Sequence, residues 1–150
     1  MTLKASIDDF LAQQTIAVVG VSRKANKFGN AVLKELKAKE YNVLPINPYA
    51  ETIDGERCYP NLNALPKPVD GVVIAVPPSQ TEKVVQEASK AGIRRIWMQQ
   101  GSGSDVAIRF CEEQGITVIH GHCILMFAEP TAFYHKLHRW LWQLIGKYPK

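Results

Sequence analysis

A chain of 150 residues is one domain by length and is long enough to bury a self-sufficient core. Apolar residues make up 46% and charged residues 21%, an ordinary globular balance, and the net charge of +4 suits an anionic ligand while being too diffuse to argue for nucleic acid. Cys58, Cys111 and Cys123 write no disulfide framework or zinc ribbon, no stretch approaches the ~20 apolar residues that span a bilayer, and MTLKASIDDFLAQQ has no signal-peptide run, so a soluble protein of the reducing cytoplasm is expected.

The chain then alternates between strand and helix patterns. TIAVVG (Thr15 to Gly20) is a short β-branched run, as expected of a strand covered on both faces. From Asn30 the period turns helical, with Val32, Leu33 and Leu36 on one side and Lys34, Glu35 and Lys37 on the other. YNVLPIN (Tyr41 to Asn47) predicts a second strand. Asp54-Gly55 predicts a tight turn or small hairpin, NALPKP a stiff connector, and VDGVVIAVP (Val69 to Pro77) holds a third strand.

Ser79 with Glu82 three residues on predicts a capping box, Val84, Val85 and Ala88 a buried stripe, and Gly92 a helix stop. IRRIWMQ is the fourth strand. A helix starting near Ser102 or Ser104 is expected to bury Val106, Ala107 and Phe110 and to stop at Gly115 before the fifth strand, ITVIH. Repeated strand–helix–strand units force parallel pairing. The expected architecture is α/β: a Rossmann-like, doubly wound, mainly parallel five-stranded sheet with helices on both faces. An added C-terminal helix over Pro130 to Ile145 carries Leu137, Leu141 and Leu144 on one side. The whole chain, 1–150, reads as a single domain with its core over about 15–124.

In such sheets a ligand lies beyond the C-terminal strand ends. IAVVGVSRKANKFGN places a turn there but lacks the fingerprint G-x-G-x-x-G. Gly20 and Val21 open the turn, Ser22 offers a hydroxyl, and Arg23, Lys24 and Lys27 supply positive charge beside a helix N-terminus. Phe28 and Gly29 complete the loop, Gly29 leaving room for a phosphate at the first helical turn. Gly20 falls at a strand end, so Gly20→Val is expected to block a ligand and spare the fold. Where an NAD enzyme places an acid for the ribose diol, the second strand ends in Asn47 and Pro48; Glu51 is the nearest acid. That suits a phosphorylated ribose, as in NADP or coenzyme A. Val76, Pro77 and Pro78 form a rigid wall after the third strand, and Gln99 and Gly101 add polar contacts after the fourth. A glycine turn, an Asn-Pro strand end and a stiff proline loop are also ordinary structural devices.

Taken in order, IAVVGVSRKANKFGNAVLKEL, YNVLPINP, IDGERCYPNL, VDGVVIAVPP, IWMQQGS and GITVIHGHCI resemble the stand-alone CoA-binding domain proteins, which are similar to the N-terminal CoA-binding domain of the succinyl-CoA synthetase α subunit. The resemblance runs from about Thr15 to Ile124. It implies coenzyme A or an acyl-CoA as ligand, with its phosphates at the Gly20–Arg23 turn, Asn47 and Pro48 beside the nucleotide, and Val76, Pro77 and Pro78 along the bound molecule. The synthetase's phosphohistidine chemistry belongs to a following domain, and HGHC (His120 to Cys123) does not match that site.

No Ser–His–Asp order, carboxylate pair or P-loop is present. His120, His122 and Cys123 lack the second ligand pair of a closed metal site, so no metal is expected. Cys123 is a buried cysteine or a thiol able to exchange with that of CoA. His135 and His138, with Arg139 and Trp142, offer a protein-partner surface on the C-terminal helix, with a solvated helix side as the plainer reading, and Trp140 suits core or homodimer packing. Three functions follow: a cytoplasmic CoA-binding, sensing or carrier module without catalytic machinery; a minimal NADP-dependent oxidoreductase; or an interaction subunit that docks an enzyme through its C-terminal helix.

Overall fold

The computed structural model describes residues 2–22, 28–53 and 55–126. The expected C-terminal helix, with His135, His138 and Trp140, lies outside the described residues, as do Arg23, Lys24 and Lys27. The chain opens on a helix that the sequence reading did not assign, α1 (Leu3–Leu11). Thr2 caps it by accepting the Ala5 N–H at 3.1 Å, and Ile7 and Phe10 form its buried face.

Five parallel strands follow: β1 (Thr15–Val19), β2 (Asn42–Ile46), β5 (Gly71–Ile74), β6 (Arg95–Met98) and β7 (Thr117–Ile119), in spatial order β2-β1-β5-β6-β7. Helix α2 (Phe28–Ala38) connects β1 to β2, α3 (Pro78–Lys90) connects β5 to β6, and α4 (Asp105–Glu113) connects β6 to β7. The two-residue period of each strand divides the core. Ile16, Val18, Val73, Trp97 and Ile119 meet Ile7 and Phe10 of α1 and Val32, Leu33 and Leu36 of α2. Ala17, Val19, Val72, Ile74, Ile96 and Met98 meet Val84, Val85 and Ala88 of α3 and Ala107 and Cys111 of α4. The doubly wound α/β architecture is therefore as expected. On the α1 side the Phe10 ring meets Trp97 edge-on, with centroids 5.5 Å apart, a geometry worth ~0.5–1.5 kcal/mol beyond burial. Gly71 makes room for it: a Cβ there would lie 2.8 Å from the Phe10 ring.

The Asp54-Gly55 region is a small hairpin, as expected. Thr52–Ile53 (β3) pairs antiparallel with Glu56–Arg57 (β4), and Gly55 takes φ 79°. The chain then returns along the outer side of β2, where Tyr59 pairs with Ile46. The Tyr59 N–H donates to Pro45 O at 3.0 Å and the Asn47 N–H to Tyr59 O at 2.9 Å. Pro45, which lacks an N–H, is tolerated because β2 is the outermost long strand on this side. The NALPKP connector begins as a 3-10 turn, Leu62–Ala64, capped by the Asn61 side chain.

Two helical expectations are corrected. The Ser79–Glu82 capping box does not form: Pro77 is the cap residue and Pro78 the first residue of α3, so Ser79 already lies inside the first turn. Proline's fixed φ starts the helix, and its missing N–H is one that would have had no helical partner. In α4, Ser104 is the cap, accepting the Ala107 N–H at 3.4 Å, and the buried residues are Ala107 and Cys111. Val106 is 56% exposed and Phe110 only half-buried. The small Ala107 and Cys111, four apart, present the narrow side of the helix to the sheet.

The sheet changes winding direction between β1 and β5, and there two glycines bring three backbones together. Ala75 N–H donates to Val19 O at 2.7 Å. Gly20, at φ 116°, lies so close that a Cβ on it would overlap the Ala75 carbonyl, with Ala75 C at 2.6 Å. Gly29, in the first turn of α2, lies in turn on Gly20: a Cβ there would meet Gly20 O, with Gly20 C at 2.6 Å and Val21 N at 3.0 Å. The expectation that Gly20→Val spares the fold is therefore overturned, because the clash is with backbone and φ is in the left-handed region.

Gly20→Val should lower the ligand-free melting temperature by about 5–15 °C, combining left-handed strain and overpacking of ~1–3 kcal/mol each. Gly103→Ala, where an added Cβ meets nothing within 4 Å, should leave it almost unchanged. Thermal unfolding followed by circular dichroism checks both; an unmoved Gly20→Val melt would refute the close approach.

A second expectation concerns Cys111. Burial first, and the Glu112 carboxylate second, push its thiol from an ordinary 9.0 up to about 11. Below pH 9 both folded and unfolded thiols hold the proton. Above it the unfolded chain releases the proton first, so this contribution to stability declines as pH rises from 9 to 11. Urea midpoints measured from pH 8 to 11 should fall more steeply for the wild type than for Cys111→Ala.

Candidate functional site

Parallel pairing brings the C-terminal ends of all five strands, and the N-terminal ends of α2, α3 and α4, to one edge of the sheet. The winding switch between β1 and β5 lies at that edge, where open α/β sheets ordinarily receive ligands, and Gly20 and Ala75 meet there.

The turn after β1 is held by two asparagine side chains. The Val21–Ser22 peptide is gripped at both ends: Asn47 Nδ2 donates to Val21 O at 2.8 Å, and the Ser22 N–H donates to Asn30 Oδ1 at 2.9 Å. Asn30 Nδ2 returns a bond to Ser22 O at 2.7 Å, closing a reciprocal clasp between a side-chain amide and a backbone residue. Asn30 is 4% exposed, so its amide is desolvated and these bonds are its compensation. The opposite end of Asn47 is also engaged, its Oδ1 accepting the Tyr49 N–H at 2.7 Å. The expected site residues Gly20, Val21, Ser22, Gly29 and Asn47 thus converge. Asn30 was missed. Its signal was an asparagine in the first turn of a helix, a residue type that competes for backbone bonds and has poor helix propensity.

Gly29 also has a packing role: its missing side chain accommodates the Gly20 backbone at the first turn of α2. The ribose position behind β2 carries no acid: Asn47 is committed to backbone, Pro48 is exposed, and Glu51 is exposed. Tyr49 follows with 83% of its surface exposed.

On the far side of the winding switch, Val76 is half-buried while Pro77 and Pro78 are exposed, forming a stiff rim where α3 begins. The buried Thr81 hydroxyl donates to Ser102 O at 2.7 Å, tying α3 to the loop before α4. Gly101, at φ 93°, is exposed on that loop. Gln99 is engaged within the protein. It is 1% exposed, accepts the Ile124 N–H on Oε1 at 2.7 Å, and places Nε2 3.4 Å from Cys123 Sγ. With Trp97 Nε1 donating to His122 O at 3.0 Å, it stitches the loop after β7 onto β6. Its place in the site is to hold that loop. His120 is exposed, His122 and Cys123 are half-buried, and no metal-holding group of three forms among the described residues. The hollow between Leu62, Pro66, Lys67 and Ala91 belongs to the opposite edge, where β5 and β6 begin.

What this edge offers is a preset turn at a helix N-terminus, no acid at the ribose position, and a proline rim. That combination suits an extended, phosphate-bearing ligand more than a dinucleotide held through a ribose diol. Comparison with known proteins agrees. YneT of Bacillus subtilis, described as an uncharacterized protein, is 30% identical over 122 residues, 81% of this chain and 90% of its own length. A solved structure of a conserved hypothetical protein from Pyrococcus furiosus superposes with a TM-score of 0.72 at 41% identity, covering 75% of this chain and 97% of that one. The ADP-forming acetate–CoA ligase of Methanocaldococcus jannaschii is 33% identical over 81 residues, 54% of this chain but 12% of the ligase. The model of the CoA binding domain matches residues 14–129, most of the chain and the whole of the edge just described, and the chain belongs to that family.

Proposed function

We propose that the chain binds coenzyme A at the winding switch between β1 and β5, as a binding, sensing or carrier module without obvious catalytic machinery. Family membership supports the ligand. The observation that carries the site is the turn after β1, whose backbone is preset at the N-terminus of α2 while the ribose position lacks a carboxylate. The phosphates lie along Gly20, Val21, Ser22, Arg23, Lys27, Phe28 and Gly29, where helix-end N–H groups and side-chain cations favour an anion. The nucleotide lies beside Asn47 and Pro48, and the pantetheine arm along Val76, Pro77, Pro78 and Gly101. An acyl-CoA fits the same assignment, since an acyl group would extend beyond the arm.

A second reading has one observation in its favour. The matching segment of the Methanocaldococcus jannaschii acetate–CoA ligase is a small part of a longer enzyme. In this reading the chain supplies the coenzyme-holding part of an enzyme whose chemistry sits on a partner. Purification with a ligase subunit, and acyl-CoA formation only when both are present, would favour this reading over the stand-alone module.

Titration calorimetry with CoA, NADP and NAD tests the ligand, and tightest binding is expected for CoA. Binding of NAD in preference to CoA would overturn the assignment. Mass spectrometry of nucleotide released on heating checks the same point without choosing a ligand beforehand.

Arg23→Ala should weaken CoA binding by ~1–3 kcal/mol, the range for a lost charge-assisted bond. Lys37→Ala is the control: Lys37 is exposed on α2 and already paired with Glu56 at 2.7 Å. Equal losses from both changes would mean that general charge, not a site, attracts the ligand.

A further inference from the structure

We propose that Asn30 is a positioning residue: it holds the Gly20–Ser22 turn in its ligand-receiving shape before any ligand arrives, with Asn47 bracing the same peptide from β2. This rests on the reading that CoA binds at this turn.

A glycine-opened turn between a strand and a helix is ordinarily free to sample several backbone states, and a ligand that selects one must overcome that freedom. Here the choice is made by the protein. Val21 O is bonded to Asn47, while Ser22 N–H and Ser22 O are both bonded to Asn30. Because a peptide unit is planar and trans, fixing its carbonyl on one side and its N–H on the other fixes the orientation of the whole unit. The two asparagines approach from different elements, α2 and the end of β2, so the turn is referenced to both.

The arrangement also assigns the donors. Ser22 N–H, which an anion-binding turn would offer to a phosphate, is taken by Asn30. Asn30 acts inside the protein as the acceptor that a phosphate oxygen would be outside it. Anion recognition is thereby left to the helix end and to the side chains around the turn, and Asn30 itself touches no ligand. Burial makes the clasp effective: at 4% exposure, water cannot substitute for the amide, so removing it releases the turn.

The test uses the full chain, with two readouts. In Asn30→Ala, amide hydrogen exchange by NMR should show the Ser22 N–H exchanging at least about tenfold faster, while Val18 and Val73 in the sheet exchange as in the wild type. Calorimetry should show CoA affinity reduced about 10–100-fold, while competition by pantetheine, which lacks the diphosphate and nucleotide, is unchanged. Asn30→Asp, which can still accept from Ser22 N–H but cannot donate to Ser22 O, should also leave the Ser22 amide exchanging faster than in the wild type, so the clasp remains testable if the alanine variant fails to fold. Ser22 exchanging at the wild-type rate in Asn30→Ala would overturn the proposal. So would unchanged CoA affinity with the turn opened, or equal losses for CoA and pantetheine, which would mark a general structural defect. A wild-type chain that does not bind CoA would sink the ligand assignment alone, and the exchange measurement would still decide whether Asn30 holds the turn.

Discussion

Everything at the ligand edge depends on three backbones meeting without side chains between them. Gly20 lies on the Ala75 carbonyl, and Gly29 lies on Gly20. The first contact brings the ends of β1 and β5 together at the winding switch. The second sets the start of α2 directly on the strand end. Either Cβ would separate these layers by the width of a methyl group and carry the helix N-terminus away from the winding switch. Because this stack is tight, the backbone of Val21 and Ser22 comes within reach of one side chain from α2 and another from the end of β2.

The remaining polar interactions of this edge follow one logic. A polar side chain withdrawn from water must be satisfied, and each of these joins two separate segments of the chain. Asn30 and Asn47 join α2 and β2 to the first turn, Gln99 joins β6 to Ile124, and Thr81 joins α3 to Ser102. Among the described residues the loops at this edge are therefore fixed by side chains rather than by continuing the sheet. A rigid frame of this kind suits recognition of a long, flexible ligand, because the protein's own ordering is completed beforehand.

The fold was legible because its signals are periodic and local. Strands such as TIAVV and GVVI are β-branched and apolar throughout, and the stops at Gly92 and Gly115 take the left-handed φ that glycine favours. Legibility failed where two local rules competed or where the deciding partner was remote. Ser79 matched a cap pattern, but Pro78 had already begun the helix. Val106 fitted a helical stripe, but Ala107 and Cys111 settled which face packs. The short α1 carries two aspartates and a lysine among its apolar residues, which hid the Ile7–Phe10 face until Trp97 and Gly71 were seen to receive it. At the winding switch, the convergence of Gly20, Val21, Ser22 and Asn47 was legible from fold position. The engagement of Asn47, Gln99 and Asn30 was not, because each bonds a backbone group that only the tertiary structure brings near.

The return of the chain along β2 has a consequence for how such a unit combines with others. Tyr59 occupies the hydrogen-bonding margin beside Ile46, Pro45 offers no donor there, and the small hairpin stands next to it. That margin is closed to strand addition. The opposite margin is the three-residue strand Thr117–Ile119, and the polypeptide leaves the described sheet from the same side. Among the described residues, β7 is the margin left for any enlargement of the sheet, whether by another stretch of polypeptide or by a second molecule. The winding switch between β1 and β5 lies two strands away from that growing side, so a larger assembly can be built without covering it.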